Sequence, residues 1–283
     1  MRLARVQLIG SSLPDFAVSA GDGWLTFRSA GVEAPTVREA IDACGEVASA
    51  RDRLADQRVA ADQVRLLSPL YRSGKVLAIG LNYADHIRET GSRTPTAPVV
   101  FAKYPSSITG PFDPIVIDHA STEQGDYEAE LAAVIGSACR KVDPEQALSH
   151  VFGYTVANDV SARDLQHSDA QFSRSKGMDT FCPCGPWITT REEVADPQGL
   201  AVTSWVNGEV RQDSSTAEMI FGVAALISYL SQTMTLEPGD TILTGTPHGV
   251  GFAMTPPQFL RPGDRVACEI AGLGRIDNPV QAP

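Results

Sequence analysis

The sequence predicts an α+β, β-rich fold in which short strands build a barrel or a rolled sheet. After residue 71 the chain carries many short apolar runs separated by Gly, Pro and Asp, a spacing typical of β-rich domains. Only two clear helical segments interrupt these runs. The predicted strands are "PVVFAKYP", "PIVID", "ELAAVIG", "GYTVANDVS", "GPWITT", "AVTSWVNGE", "GDTILTGTP" and "DRVACEI".

A small N-terminal α/β domain is predicted over residues 1–70, ahead of a main domain over residues 71–283. Its strands are "RLARVQLIG" and "WLTFRSAG", which alternate apolar and polar residues, and its helix lies around "TVREAIDACGEVASARDRLA". A chain of 283 residues is long enough for one large domain accompanied by a small one.

Two helices are predicted in the main domain. The first covers "DPEQALSH", with Asp143 as its N-cap and a proline at the first helical position. The second covers "STAEMIFGVAALISYLSQTM", where Ser215 and Glu218 have the spacing of a capping box. Because its apolar residues recur at intervals of three and four, we expect this helix to pack against the core rather than against a partner.

The composition is that of a globular protein that binds neither nucleic acid nor membrane. Hydrophobic residues make up 43% of the chain and charged residues 20%, and the net charge of −11 disfavours nucleic acid. The sequence has no apolar stretch of the ~18 residues that a membrane span needs, and its N-terminus does not resemble a secretion signal. We therefore expect a cytoplasmic protein.

The cysteines indicate reduced thiols, because the five are odd in number and scattered along the chain. Cys182 and Cys184 form C-x-C rather than C-x-x-C, and the sequence contains no second pair. A zinc site is therefore disfavoured at this position, and the role of the two thiols stays open.

The segment "GDYEAELAAVIG" at residues 125–136 places two glutamates at the start of an apolar run. Residues i and i+2 of a strand share one face, so Asp126, Glu128 and Glu130 are expected to point the same way. Two interpretations are open. The acids are either solvated at an exposed strand end, or they hold a divalent cation such as Mg²⁺ or Ca²⁺, which prefers carboxylate oxygens and would cancel their repulsion.

A histidine and a carboxylate are spaced for mutual contact in "GLNYADHIRETG". His86 and Glu89 are three positions apart (i, i+3), so one helical turn would bring them together. A histidine oriented by a carboxylate is an arrangement that general bases use. Taken alone, such a pair is common in helices and is more often without a catalytic role.

Three further residues could complete a site with the glutamates. Asp159 ends the strand-like run of "GYTVANDVSARDLQ", and Lys176 precedes a glycine. Thr246 lies in the glycine-rich turn of "GDTILTGTPHGVG", which lacks the G-K-[ST] ending of a phosphate loop. Each residue alone is more often part of a turn or a surface charge, but together they favour a catalytic site.

The order of these motifs resembles the fumarylacetoacetate hydrolase family from about residue 71 to the C-terminus. The matching segments are "GLNYADHIRE", "DYEAELAAVIG", "GYTVANDVSARDLQ", "SKGMDTFCPCGPW", "VNGEVRQDSSTAEMIFG", "LEPGDTILTGTPHGVG" and "LRPGDRVACEIAGLG". The leading unit is similar to the variable N-terminal domain of that family. The resemblance implies a mixed β-roll core, Mg²⁺ or Mn²⁺ as the cofactor, a small-molecule substrate and a homodimer.

The resemblance also implies roles for eight residues, which fall into three groups. The implied metal ligands are Glu128, Glu130 and Asp159. The implied catalytic residues are His86 and Glu89, on the lid helix of the family, and Lys176 beside the substrate. The implied substrate-binding residues are Gln166 and Thr246.

The activity implied by the resemblance is hydrolysis of a C–C bond in a 2,4-dioxo acid of the acylpyruvate type, which gives pyruvate and a second acid. The sequence is similar to the branch of bacterial hydrolases that act on 2,4-dioxo-3-deoxy sugar acids of the fuconate and rhamnonate type. The alternative is an oxaloacetate decarboxylase, or a keto–enol isomerase or hydratase of a related 2-oxo acid. A non-enzymatic protein that holds Ca²⁺ for stability is disfavoured, because it would need neither the His86–Glu89 pair nor Lys176.

Overall fold

The computed structural model describes residues 1–283 as a strand-rich chain, which confirms the predicted fold class. The strands are β1 (Arg2–Leu8), β2 (Pro14–Ala20), β3 (Gly23–Thr26), β4 (Val59–Ala60), β5 (Val64–Leu67), β6 (Val76–Gly80), β7 (Val99–Lys103), β8 (Ile108–Thr109), β9 (Ile115–Val116), β10 (Gly125–Asp126), β11 (Ala129–Ile135), β12 (Val151–Asn158), β13 (Ser161–Ala162), β14 (Cys182–Thr190), β15 (Ala201–Val206), β16 (Glu209–Ser215), β17 (Thr241–Leu243), β18 (Arg265–Ile270) and β19 (Gly274–Gln281). The helices are α1 (Val37–Ser49), α2 (Ala84–Thr90), α3 (Pro144–Ala147), α4 (Arg163–Ser168), α5 (Ser173–Lys176) and α6 (Val223–Ser231).

Twelve of the strands form one large mixed sheet. Its main path runs β4-β3-β2-β1-β14-β12-β11-β17-β6-β7, with β5 paired to β1 and β8 paired to β14. The end strands β4 and β7 are not paired with each other, so the sheet is an open roll rather than a closed barrel. A five-stranded sheet, β16-β15-β18-β19-β9, and the short pair β10-β13 complete the architecture.

The first 70 residues extend the large sheet instead of standing apart from it. β1 pairs antiparallel with β14, with Arg2 opposite Thr189. One apolar core of 22 residues joins both parts of the chain, and it includes Val37 of α1 as well as Ala157 of β12. The domain boundary at residue 70 stays a prediction, and the backbone on either side of it shares one sheet and one core.

The central strand β11 fixes the position of the candidate site. All seven of its residues are buried, and it lies between β12 and β17. A core of 23 residues packs one side of β11 against α6 and the five-stranded sheet, through residues such as Leu131, Leu226 and Ile270. A strand buried on both faces is a rigid support for the polar residues at its end.

The second helix predicted in the main domain is divided, and its predicted start at Ser215 is wrong. Ser215 caps only a single 3-10 turn, and α6 begins at Val223. Between them, the N–H groups of Ile220 and Phe221 donate to Asn82, at 2.7 Å and 2.9 Å. A continuous helix would need those N–H groups for its own backbone bonds, so the contact with Asn82 delays the helix.

The remaining predicted helices are present but shorter than the segments quoted for them. α1 ends at Ser49, and α3 is a single turn that begins at Pro144 and continues as a 3-10 turn. None of the helices is both long and apolar enough to cross a membrane.

Candidate active site

Glu128, Glu130 and Asp159 lie together where β11 and β12 meet. All three are buried, and their carboxylate oxygens lie within 4.8 Å of one another. β11 and β12 pair antiparallel with Ala129 opposite Asn158, so the start of one strand is adjacent to the end of the other. Strand pairing therefore brings together acids that are about 30 residues apart in the sequence.

Asp126 does not join this triad, although the strand pattern predicted that it would share a face with the glutamates. Its carboxylate accepts hydrogen bonds from the N–H groups of Gly251 and Phe252, at 2.8 Å and 3.1 Å, and from Arg163 Nε at 2.9 Å. β10 ends at Asp126 and β11 begins at Ala129, so the alternation of faces is interrupted between them.

Lys176 lies among the acids, at the end of α5. Its ammonium donates to Glu128 Oε2, Asp159 Oδ2 and Ser161 Oγ, each at 2.8 Å. Burial opposes the charge of this lysine, but Asp159 and Glu128 outweigh burial and raise its pKa above the usual value. The predicted lysine is therefore in the site, and it is held there as a cation.

Arg163 is a second buried cation, and the sequence analysis did not single it out. Besides its bond to Asp126, its Nη1 donates to Gln166 Oε1 at 2.9 Å and its Nη2 lies 2.7 Å from Glu128 Oε1. Its guanidinium also stacks on the ring of Phe252, with the central carbon 4.4 Å from the ring centroid. The segment "SARDLQ" contained this residue, but nothing in the spacing showed which carboxylates it would contact.

Lys103 is a third buried cation that the sequence analysis did not single out. Its Nζ donates to Asp159 Oδ1 at 2.6 Å. With Arg163 and Lys176 it forms an ionic cluster around the acids. The seven members of the ionic cluster are Lys103, Asp126, Glu128, Glu130, Asp159, Arg163 and Lys176.

The electrostatics of the ionic cluster set Glu130 apart from the other acids. Burial alone would raise the pKa of the Glu128 carboxyl, but Lys176 and Arg163 outweigh it and lower that pKa to about 2. Burial and then repulsion by Asp159 and Glu128 raise the pKa of the Glu130 carboxyl well above its usual range. Glu130 has no basic partner, and its one hydrogen bond comes from the N–H of Gly245 at 2.8 Å.

These residues fit a divalent metal ion. Three carboxylates converge, and the most strongly repelled of them, Glu130, forms no ion pair within the protein. Carboxylate oxygens are the ligands that hard ions such as Mg²⁺ and Mn²⁺ prefer. The triad is a site for such an ion, in agreement with the cofactor that the sequence predicted.

A cavity of about 290 Å³ opens beside the triad. Of the eight predicted site residues, five line it: His86, Glu128, Gln166, Lys176 and Thr246. Glu130, Asp159 and Glu89 are not among the lining residues, although Glu89 contacts the lining residue His86. The structure thus brings all eight predicted residues to one place, although their individual roles stay predictions.

The predicted lid helix is α2, and it carries the histidine–glutamate pair. His86 Nδ1 lies 3.2 Å from Glu89 Oε2, while Glu89 Oε1 accepts a hydrogen bond from the N–H of Gly249 at 2.8 Å. Nε2 of His86 makes no hydrogen bond within the protein. A carboxylate at Nδ1 favours the tautomer in which Nε2 can accept a proton.

Gln166 and Thr246 are held in place by neighbouring residues. Gln166 accepts from Arg163, and Thr246 Oγ1 donates to the carbonyl of Ala129 at 3.1 Å and accepts from Gln212 at 2.8 Å. Fixed polar groups on a cavity wall are suited to orienting a small polar ligand.

Cys182 and Cys184 lie on β14 and take no part in the cavity wall. Their sulfur atoms are 3.6 Å apart, and both side chains are wholly buried. All five cysteines of the chain are free thiols in the structure, as the sequence predicted.

Comparison with known proteins places this geometry in a family. The family model described as "Fumarylacetoacetate (FAA) hydrolase C-terminal" matches residues 75–281. The chain is 48% identical over 220 residues to oxaloacetate tautomerase FAHD2A, mitochondrial, of Bos taurus, which is 77% of this chain and 70% of the relative. It is 49% identical over 217 residues to protein Rv2993c of Mycobacterium tuberculosis, which is 77% of this chain and 78% of that protein.

Solved structures resemble the whole chain. A fumarylacetoacetate hydrolase from psychrophilic Exiguobacterium antarcticum has a TM-score of 0.88 at 41% identity and covers 100% of both chains. A maleylpyruvate hydrolase from Sphingobium sp. SYK-6, in complex with manganese(II) ion and pyruvate, has a TM-score of 0.82 at 30% identity. That match covers 100% of this chain and 99% of the hydrolase.

Proposed function

Because the chain belongs to the fumarylacetoacetate hydrolase family of enzymes, we propose that it is a divalent-metal-dependent tautomerase of oxaloacetate or a closely related 2-oxo acid. The observation that carries this proposal is the 48% identity to an oxaloacetate tautomerase over 77% of the chain. It supports the keto–enol alternative of the sequence analysis over C–C hydrolysis as the main activity.

The reaction moves one proton between C3 of the 2-oxo acid and the oxygen on C2, while the double bond shifts between C2–O and C2–C3. A divalent ion held by Glu128, Glu130 and Asp159 would supply Lewis-acid polarisation of the carboxylate and keto oxygens of the substrate. Lys176 places a fixed positive charge on the cavity wall, where it stabilises negative charge on the C2 oxygen.

His86 is the residue suited to hold the proton. In the keto-to-enol direction its Nε2 takes the proton from C3 and passes it to the C2 oxygen, and in the reverse direction it takes the proton from that oxygen and delivers it to C3, while Glu89 keeps Nδ1 protonated. Gln166 and Thr246, which also line the cavity, orient the rest of the substrate.

The test follows ketonisation of enol-oxaloacetate by its ultraviolet absorbance. The protein is treated with chelator, dialysed and assayed with and without Mg²⁺ or Mn²⁺. We expect a metal-dependent rate above that of the metal alone, and a much lower rate in Lys176→Met, which should also bind oxalate more weakly. Equal rates with the protein and with free metal would rule out the tautomerase.

C–C hydrolysis is the second candidate, because His86 paired with Glu89 could equally activate a water. Likeness to a maleylpyruvate hydrolase that was solved with manganese and pyruvate favours it. Release of pyruvate from an acylpyruvate in a lactate dehydrogenase assay tests hydrolysis. Release of pyruvate from oxaloacetate in the same assay tests decarboxylation, which tautomerisation alone does not produce.

A homodimer and a cytoplasmic location remain part of the proposal. Light scattering of the purified protein and microscopy of a fluorescent fusion in the native cell would test them.

A further inference from the structure

Lys103 is a buried lysine to which the proposed reaction assigns no role. It is the last residue of β7, and only 1% of its surface is exposed. The strand alternates faces, so that Phe101 and Lys103 point inward while Val100 is 36% exposed. Phe101 lines the cavity but Lys103 does not, so Lys103 cannot contact a substrate there.

The ammonium of Lys103 makes three contacts, and each one supports the metal site. It donates to Asp159 Oδ1 at 2.6 Å and to the carbonyl of Val160 at 3.4 Å. It also donates to the main-chain carbonyl of Lys176. These acceptors match the three N–H groups of an ammonium, and none of them lies outside the two segments that carry Asp159 and Lys176.

Two lysines therefore hold the two oxygens of one carboxylate. Lys176 binds Asp159 Oδ2 from the cavity side, and Lys103 binds Oδ1 from the side of β7. A carboxylate bound at both oxygens cannot rotate about its terminal bond without breaking an ion pair. Burying a lysine fully is costly, so its presence requires close partners such as these.

We propose that Lys103 is a positioning residue for the metal ion. It fixes the rotation of the Asp159 carboxylate and, through the carbonyl of Lys176, the end of α5 that carries the cavity lysine. This inference rests on the proposed function, because it assumes that the Glu128–Glu130–Asp159 triad binds a divalent ion.

The sign of the effect on metal binding separates positioning from simple electrostatics. A positive charge repels a metal ion, so removing Lys103 would tighten metal binding if the lysine acted through its charge alone. If Lys103 acts by holding Asp159, its removal frees a metal ligand and weakens binding. Residues that orient metal ligands change metal affinity by about 10- to 100-fold when mutated.

The experiment measures Mn²⁺ binding to the chelator-treated full chain by calorimetry. Lys103→Met is compared with Lys75→Met, a matched control in which another lysine lies 2.6 Å from a buried aspartate, Asp240. We expect the Kd for Mn²⁺ to rise by about 10- to 100-fold in Lys103→Met and to stay unchanged in Lys75→Met. Lys103→Gln keeps a donor for Asp159 and should give an intermediate Kd.

Each outcome decides the proposal. An unchanged or lower Kd for Mn²⁺ in Lys103→Met overturns it. If Lys103→Met does not fold, Lys103→Gln is measured against the same expectation of weaker binding, and failure of both variants to fold overturns positioning in favour of a structural role. A wild-type protein that binds no Mn²⁺ would overturn the proposed function as well, whereas normal wild-type binding with no effect of Lys103 overturns only this inference.

Discussion

The ionic cluster and the lid helix form two sides of one cavity, but they are held in opposite ways. In the ionic cluster, the side chains of Lys103 and Asp159 are 0% exposed and are joined at 2.6 Å. On α2, Arg88 pairs with Glu218 through side chains that are 67% and 40% exposed. The ion pairs of the first region are buried, whereas this ion pair of the second region reaches solvent.

The difference predicts which property each region controls. Removing one partner of a buried ion pair costs about 3–5 kcal/mol, because a charge is left without compensation. An exposed pair contributes about 0–1 kcal/mol. Changes in the ionic cluster should therefore alter folding and metal binding together, whereas changes on the lid helix should act mainly on turnover and alter stability by about 1 kcal/mol or less.

The largest effect is expected for Glu128→Gln, which breaks the ion pairs with Lys176 and Arg163. Without a charged ligand, metal binding should be lost and activity should fall by about 10³-fold or more. The free energy of unfolding should fall by about 3 kcal/mol in urea titrations with chelator. Glu123→Gln, at an exposed position, is the control, and full activity of Glu128→Gln after dialysis against chelator would show that the metal assignment is wrong.

Glu130→Gln should have the opposite effect on stability, although Glu130 belongs to the same ionic cluster. Burial and then the neighbouring Asp159 and Glu128 oppose its charge and raise its pKa, so a neutral amide relieves a repulsion. Without metal, the free energy of unfolding at pH 7 should rise by on the order of 1 kcal/mol, while metal binding and activity are lost. A lower stability than wild type in chelator would contradict this account of the ionic cluster.

His86→Ala tests the lid helix. Loss of the proton-carrying group should lower turnover by about 10²- to 10⁴-fold, whereas the Kd for Mn²⁺ should hardly change because His86 is not a ligand. Arg88→Ala on the same helix should leave both values near wild type. Comparison of tautomerisation, hydrolysis and decarboxylation in His86→Ala then shows which reactions use the histidine, and equal loss of all three would speak against a specific role in proton transfer.

The smallest effect is expected at Asp85, which accepts from the N–H of His86 at 2.7 Å and from His248 Nδ1 at 2.9 Å. Burial would raise the pKa of Asp85, but bonds from Ser214 and His248 outweigh it and lower that pKa. Because the pKa of Asp85 is lower in the folded protein than in the unfolded chain, ionised Asp85 stabilises the fold above the ordinary pKa of about 3.9. This stabilisation is lost as the pH falls from that value through the lowered pKa of the folded state.

The wild type should therefore lose stability on acidification below pH ~4, and Asp85→Asn should lose less stability over the same range. The difference should be about 1 kcal/mol or less, because the site is partly exposed. Unfolding by urea at a series of pH values measures it, with Asp62→Asn as an exposed control. If the stability of Asp85→Asn depends on pH in the same way as that of the wild type, the contacts of Asp85 do not stabilise the folded state.

The parts of the site that the sequence predicted are those that local geometry determines. Glu128 and Glu130 follow from the two-residue period of an extended chain, and His86 with Glu89 follows from one helical turn. The cofactor, the fold class and the family are confirmed, and the family followed from the order of motifs along the chain; the roles of the individual site residues stay predictions. The substrate and reaction were predicted less well, since members that share these motifs catalyse different reactions.

Contacts between distant segments could not be predicted in the same way. Lys103 is 56 residues from Asp159, and only the alternation with Phe101 on β7 hinted that it faced inward. The division of the second predicted helix depends on Asn82, which is 139 residues from Phe221. Local spacing favoured one continuous helix, and a tertiary contact overrode that preference.

The bonds of Asn82 also set an order of events during protein synthesis. Its side-chain amide donates to the carbonyl of Thr244 at 2.7 Å, across 162 residues of chain. At about 5–20 residues per second, a ribosome needs roughly 8–30 s to make the intervening segment. Asn82, at the base of the lid helix, therefore cannot bond to Thr244 until that segment has been made. The acids of the site are synthesised well before that side of the cavity can form.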